Sequence, residues 1–523
     1  MKPEKHVQLV RVPHAYRYDG VDVREEPILT LFKGYLDGIG FDSHQVADFH
    51  LQRHLRFEDT LNPRATDYVI SVRQTGDQVH YLRRYVKALR EHSGANIWIY
   101  GQTGRLEALD WPENVRIIAH DERVLAGALG LPAQGPGFDS ELTASPYAHQ
   151  LDLQPWQRAL LRGSMETTRG CHYPCRFCFI NVGDNYPKRW QVRSTHSLLS
   201  DLRRYRELGI QSVAFWDSEF LGAVRAGYEA RRGLLRGIRD ELPGTQYMIW
   251  NRADTLLAFD DFELLKESGL VNVFIGVESF SQADLDALKK RIKVADIIRC
   301  VERLRDLDIH VHMSFLTFNR NTTPRSLREN LDVLERLMSV KPRLLGLPHF
   351  SFTFESSWDE TTLRPLSNKT YMGIDVMMRA QRVDGACFDA RMEPLMEVYR
   401  LLKYEWTRKV TELTLERLSA NDAEHVKIES WFEGLGRFCL ATMREYLERY
   451  EKGTLGFEEL DEARQELFQK MGNYYQRLPE RLRRFSTLDD HAGRIEYDET
   501  RLVEKDEYWA AHIPHAPGEL EAA

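Results

Sequence analysis

Three of the six cysteines, Cys171, Cys175 and Cys178, lie within eight residues of one another in the run TTRGCHYPCRFCFINVGDNYP. Thiols so close can form a disulfide, ligate structural zinc or hold an iron–sulfur cluster. A disulfide fits poorly with an odd count, a short spacing and a large chain that is no disulfide scaffold. Structural zinc closes a shell of four ligands, commonly from two separated pairs. Here one adjacent histidine, His172, accompanies the thiols, and no second C-x2-C exists. Thiolates are the standard ligands of iron–sulfur clusters, and three on one loop hold three irons of a cubane and leave the fourth open. Cys300, on an amphipathic helix, and the scattered Cys387 and Cys439 read as small buried hydrophobes.

The pattern C-x3-C-x-aromatic-C, met by Cys171, Cys175, Phe177 and Cys178, resembles the signature of the radical S-adenosylmethionine (radical SAM) superfamily. NRADTL at 251–256 and FIGVESFSQADLDALKKR at 274–291 look like that family's third and fourth strand ends. The resemblance implies one [4Fe-4S] cluster whose open iron chelates SAM, and cleavage of SAM to a 5′-deoxyadenosyl radical. It implies that Phe177, Glu278 and Ser279 face SAM and that Arg252 lies near the same cleft. WDSEF stands where the family carries a Gly-Gly-Glu element, which leaves Asp217 or Glu219 for the SAM ammonium; a carboxylate at a strand end can equally cap the next helix. MSFLTFNRNTT replaces a glycine-rich fifth-strand segment, with Ser314 or Thr317 in compensation.

The elements that must position these residues alternate. HSLLSDLRRYRELG carries Leu198, Leu199, Leu202, Tyr205 and Leu208 on one helical face and stops at Gly209. Strand-like IQSVAFWD, TQYMIWNRAD, VNVFIGVES, IHVHMSFLTFN and LLGLPHFSFTF are separated by helical stretches, and METTRG precedes the cysteines as a first strand. About six βα units imply a parallel sheet with right-handed crossovers, a partial (βα)6 barrel over 161–360, with its site at the C-terminal ends of the strands. Before it, 1–135 reads as a doubly wound, Rossmann-like sheet, and 136–160, rich in Pro, Gly and Ser, as a linker. Beyond it, 361–523 reads as mainly helical, its aromatics Trp406, Trp431, Phe432, Phe438, Tyr446, Tyr474 and Tyr475 as core. The fold class is therefore α/β with a helical C-terminal domain.

Ligands of open α/β sheets bind beyond the carboxyl ends of the strands, here Arg73–Gly76, Gly101–Gly104 and His120–Glu122. A Rossmann-like sheet ahead of such a barrel resembles the cobalamin-dependent radical SAM class. That implies cobalamin near Arg73, Gly76, Gly101, Gln102, Thr103 and His120, with Arg73 close to the lower face of the corrin. The Asp-x-His-x-x-Gly fingerprint is absent, His14 has the wrong neighbours, and no histidine is assigned to cobalt. No G-x-G-x-x-G follows the first strand, so the sequence carries no signal for NAD.

The resemblance implies a methyltransferase that moves a methyl group from cobalt to an unactivated carbon of a small molecule or peptide. The alternative is a radical SAM enzyme without functional cobalamin that catalyses a rearrangement, cyclisation or other coupling. A flavodoxin or ferredoxin is the expected electron donor. A net charge of −8 with interspersed signs gives no footprint for nucleic acid or anionic membrane. The N-terminal residues carry no signal-peptide pattern, no apolar run reaches the length of a membrane span, and a reducing cytoplasm is the expected compartment.

Overall fold

The computed structural model describes residues 5–12, 23–52, 55–72, 76–101, 106, 111–138, 141–175, 190–222, 225–318, 321–338, 349–351, 358–359, 364–365, 390–399, 401–402, 409 and 422–483. The chain is α/β, with two parallel sheets and helices at its C-terminal end.

The first sheet comprises β1 (Val7–Arg11), β2 (His44–Asp48), β3 (Asp67–Val72), β4 (Asn96–Gly101) and β5 (Val115–Ala119), in the order β2-β1-β3-β4-β5. Every pairing is parallel, so the chain crosses over after each strand. The order reverses between β1 and β3, the switch point where ligands of doubly wound sheets sit. The central strands β1 and β3 are buried at every position, as both of their faces are covered. Helix α1 (Pro27–Gly38) starts at Pro27, whose missing N–H is no loss at a first helical position. Helices α2 (Gly76–His92) and α3 (Glu122–Ala128) follow β3 and β5.

Residues 141–153 are no loose crossing. Leu142, Ala144, Tyr147, Ala148, Leu151 and Leu153 are buried in one apolar cluster with β1 and α1. These apolar residues, spaced among polar ones, carry the packing of the segment.

The second sheet is the partial barrel: β6 (Gly163–Met165), β9 (Ser212–Phe215), β10 (Gln246–Asn251), β11 (Leu270–Glu278), β12 (His310–Leu316) and β13 (His349–Ser351), neighbours in chain order and all parallel. Helices α5 (Thr195–Glu207), α6 (Arg225–Glu241), α7 (Ala253–Phe259), α8 (Phe262–Glu267), α9 (Gln282–Ala287), α10 (Val294–Asp306) and α11 (Pro324–Met338) connect them, while α4 (Pro155–Leu160) leads into β6. Along β11, Val273, Ile275 and Val277 are fully buried in the main core with residues of these helices. Cys300 and Cys439 lie in that same core. So do residues of α12 (Asp422–Glu451) and α13 (Leu460–Tyr475), where Phe438 stacks on Tyr474 at 4.4 Å. Trp406 and Cys387 lie outside the described residues.

METTRG does not form one strand. Met165 ends β6, while β7 (Thr168–Arg169) leaves the barrel to pair antiparallel with β8 (Gln191–Val192). The cause is Asp217, whose Oδ1 accepts from the amides of Thr167 and Thr168 at 2.7 and 2.6 Å. Those donors are thereby withdrawn from the sheet.

Candidate functional site

The cysteine loop leaves and rejoins the barrel at a clasp. At its entry stands the Asp217 bond to Thr167 and Thr168; at its exit Trp190 Nε1 donates to the carbonyl of Glu219 at 2.9 Å. Between them β7 and β8 close the base. WDSEF therefore anchors both ends of the loop. Burial raises the Asp217 carboxyl pKa, with Arg231 pulling against the rise.

Cys171 is half-buried and Cys175 buried. Cys178 and Phe177 lie outside the described residues. Burial, above all, pushes the Cys171 thiol up to about 11. Such a thiol stays protonated unless a cation neutralises it, and a coordinating metal does so outright. Cys171 and Cys175, four residues apart on one loop, are ligands of the type that iron–sulfur clusters take.

The next strand ends surround these thiols. Arg252, leaving β10, points Nη1 at Cys175 Sγ, 3.6 Å away, and lies over the ring of Tyr173. Glu219 reaches the start of α7, where its carboxylate accepts from the Arg252 amide at 3.1 Å and from Thr255 Oγ1. Burial raises its pKa to about 8, against the pull of Thr255 and Arg252. Asp217 thus ties down the segment before β7, and Glu219 the start of α7.

Glu278 ends β11 at φ 66°, in the left-handed region, beside a bulge where Gly276 and Glu278 pair with Ser314 and Phe315. A non-glycine residue held there costs of order 1–3 kcal/mol and is a mark of functional sites. Its Oε1 accepts from Lys290 Nζ at 2.8 Å, with both residues buried. A Cβ on Gly276 would lie 2.6 Å from Glu278 Oε1 and 2.9 Å from Lys290 Nζ, so the missing side chain makes room for this pair. Lys290 is held between two further left-handed residues, Lys289 and Arg291. Ser279 does not share this position. Its hydroxyl, fully buried, lies within hydrogen-bond reach of two acceptors, Asp284 Oδ2 at 3.0 Å and Asn330 Oδ1 at 3.1 Å. Ser314, on β12, lies level with Gly276, and Thr317 Oγ1 is buried with no hydrogen-bond partner.

Below these strand ends lies an aromatic layer. Trp216 stacks on Trp250 at 4.2 Å, Trp250 meets Phe274 at 5.9 Å, and Phe274 meets His312 at 5.0 Å. Register puts Trp250, Phe274 and His312 side by side. Arg24, from the segment before α1, lies 3.4 Å from the Trp216 ring centroid.

In the first sheet, Gly101 has φ 120°, and a Cβ there would lie 2.7 Å from Val72 O. The close approach it permits is between β4 and β3. His120 is buried; its Nε2 lies 3.4 Å from Glu166, and its carbonyl accepts from Arg169 at 3.2 Å. Gly76 starts α2. Arg73, Gln102 and Thr103, and with them the loops after β3 and β4, lie outside the described residues.

Sequence reasoning missed the buried polar groups that join the two sheets. Arg169, two residues before Cys171, forks onto Glu122 at 2.6 and 2.9 Å and pairs with Glu166 at 2.9 Å. Glu25 accepts from Ala148 N at 2.6 Å, from Tyr205 Oη at 3.0 Å and from Tyr147 N. Lys290 was legible only as part of a motif. Among the described residues no helix is long and apolar enough to cross a membrane, and no group of three metal-ligating side chains occurs.

Residues 165–334 match the family model of the Radical SAM superfamily. The chain is similar to the hopanoid C-3 methylase of Methylococcus capsulatus, 29% identical over 48% of this chain and 47% of that protein. It is 28% identical to the 4'-phospho-dehydrooxetanocin synthase of Priestia megaterium over 38% of this chain and 28% of that protein. The chain thus matches about half or less of the length of these curated relatives. Its fold is similar to the solved structure of the cobalamin-dependent S-adenosylmethionine radical enzyme OxsB with aqua-cobalamin bound, at 15% identity and a TM-score of 0.62, over 97% of this chain and 84% of that one.

Proposed function

We propose, from the match of residues 165–334 to the Radical SAM superfamily model, that this chain is a cobalamin-dependent radical SAM methyltransferase. The observation that carries the reading is the pair of cysteines Cys171 and Cys175 at the C-terminal mouth of a six-stranded parallel barrel, with Arg252 and the Glu278–Lys290 pair beside it. Cys171, Cys175 and Cys178 would hold a [4Fe-4S] cluster. When bound, cluster and SAM supply a 5′-deoxyadenosyl radical, and cobalamin supplies a methyl group. The protein positions these groups and excludes water. Glu278, fixed by Lys290, would orient the ribose or amino-acid end of SAM. The aromatic layer beneath offers an apolar substrate face a floor. A reducing cytoplasm with a flavodoxin or ferredoxin as electron donor suits such a centre.

The order β2-β1-β3-β4-β5 supports a cofactor at the carboxyl edge of the first sheet. The inward engagement of Gly101 and His120 favours a second reading, a radical SAM enzyme without functional cobalamin that catalyses a rearrangement or coupling. Anaerobic purification with hydroxocobalamin, followed by iron, sulfide and cobalt assays, separates the two. Cobalt near one per chain supports the methyltransferase. Iron and sulfide without cobalt support the second reading, and zinc in place of iron and sulfide refutes both.

A further inference from the structure

We propose, on the cluster reading above, that Arg252 is a positioning residue for the cluster, holding a fixed positive charge and a hydrogen bond against the thiolate of Cys175. Its guanidinium is anchored on the remaining sides. Nε and Nη2 fork onto Asp254 Oδ1 and Oδ2 at 2.9 and 2.8 Å. Nη2 also donates to the carbonyl of Lys290 at 2.8 Å. One face lies over Tyr173, with the ring centroid 3.7 Å from Cζ. That leaves Nη1 directed at Cys175 Sγ, 3.6 Å away, in a side chain 6% exposed. A planar fork so held has one orientation, and a lysine could not reproduce it.

An arginine does not lose its proton in a protein, so this charge persists across the working pH range. Positive charge and hydrogen bonds at cluster sulfurs stabilise the more negative, reduced cluster and raise its reduction potential. Arg252 therefore eases entry of the electron from the external donor. Asp254 opposes it by neutralising part of the charge, so the two residues act on the potential with opposite signs.

The test is an EPR-monitored redox titration of the anaerobically reconstituted protein without SAM, with iron and sulfide counted and SAM affinity measured in parallel. Arg252→Gln is expected to load the cluster and move the midpoint to more negative potential, with Arg252→Lys in between. Asp254→Asn, which keeps the guanidinium, is expected to move it the other way and serves if Arg252→Gln does not load. A loaded Arg252→Gln cluster with an unchanged midpoint overturns the inference, as does an unchanged midpoint in Asp254→Asn. An unchanged midpoint with a tenfold or greater loss of SAM affinity makes Arg252 a SAM contact instead. Wild-type protein that takes up no iron or sulfide overturns the cluster reading itself, a result distinct from a loaded cluster whose potential does not respond.

Discussion

At Glu278 and Lys290 two charges share a buried site, and each makes the other tolerable. Removing one partner of such a pair costs about 3–5 kcal/mol, because the other charge is left without compensation. Glu278→Ala is therefore expected to lower the denaturation midpoint sharply, while Glu278→Gln with Lys290→Met recovers most of the loss. SAM binding should fail in both, which separates the stabilising role of the pair from its proposed role toward SAM. The thiols behave differently. Cys175→Ala removes a small side chain at a loop, so the fold should survive, whereas iron and sulfide per chain should fall to background by colorimetric assay.

The clasp formed by Asp217, β7 and β8 stands at the base of the cysteine loop. Asp217 accepts from three donors on Thr167 and Thr168 and sits near the Arg231 guanidinium. Asp217→Ala leaves these donors without their acceptor and takes the neighbouring negative charge from the fully buried Arg231, whose Nη2 donates to the Thr167 carbonyl. Each unsatisfied buried group costs about 1–3 kcal/mol. Cluster loading is expected to drop although no thiol has changed, and limited proteolysis should cut between residues 171 and 189 faster than in the wild type. Equal loading and equal cleavage would show that the loop does not depend on this anchor.

Across the whole molecule, the contact between the sheets is where pH should act. Burial above all holds Glu25 at about 7 rather than 4.5, against the donors of Ala148, Tyr147 and Tyr205. Between those two values the folded chain keeps a proton that the unfolded chain releases. By linkage, stability from this group is greatest below the lower value and declines as pH rises through the window. Glu25→Gln should flatten that decline, so its melting temperature should gain on the wild type between pH 5 and pH 8, followed by circular dichroism. A constant difference across the range would remove Glu25 as the source. Around it the two sheets share other buried polar contacts, among them the Arg169 fork onto Glu122.

Much of this was legible from local pattern. The C-x3-C-x2-C spacing, the β-strand runs and the helical faces are properties of near neighbours in the chain, so the α/β order, the barrel and the cysteine loop could be read from them. METTRG was misread as one strand because its amides are taken by Asp217, a residue some fifty positions away. WDSEF reads as a ligand element, and that its carboxylates accept from the Thr167, Thr168 and Arg252 amides could not be read, since hydrogen-bond partners across strands leave no periodic trace. Segment 136–160 reads as a linker from its composition, and composition does not tell which of its side chains are buried, as Leu142, Tyr147 and Leu151 are. The sequence by itself determined the chemistry available, the element order and the end of the barrel where that chemistry lies. Only the tertiary structure decided which charges are paired, that Arg252 meets Cys175, that Lys290 holds Glu278, and that buried carboxylates lock one sheet to the other. Those outcomes depend on distance and desolvation, which arise only when remote parts of the chain come together.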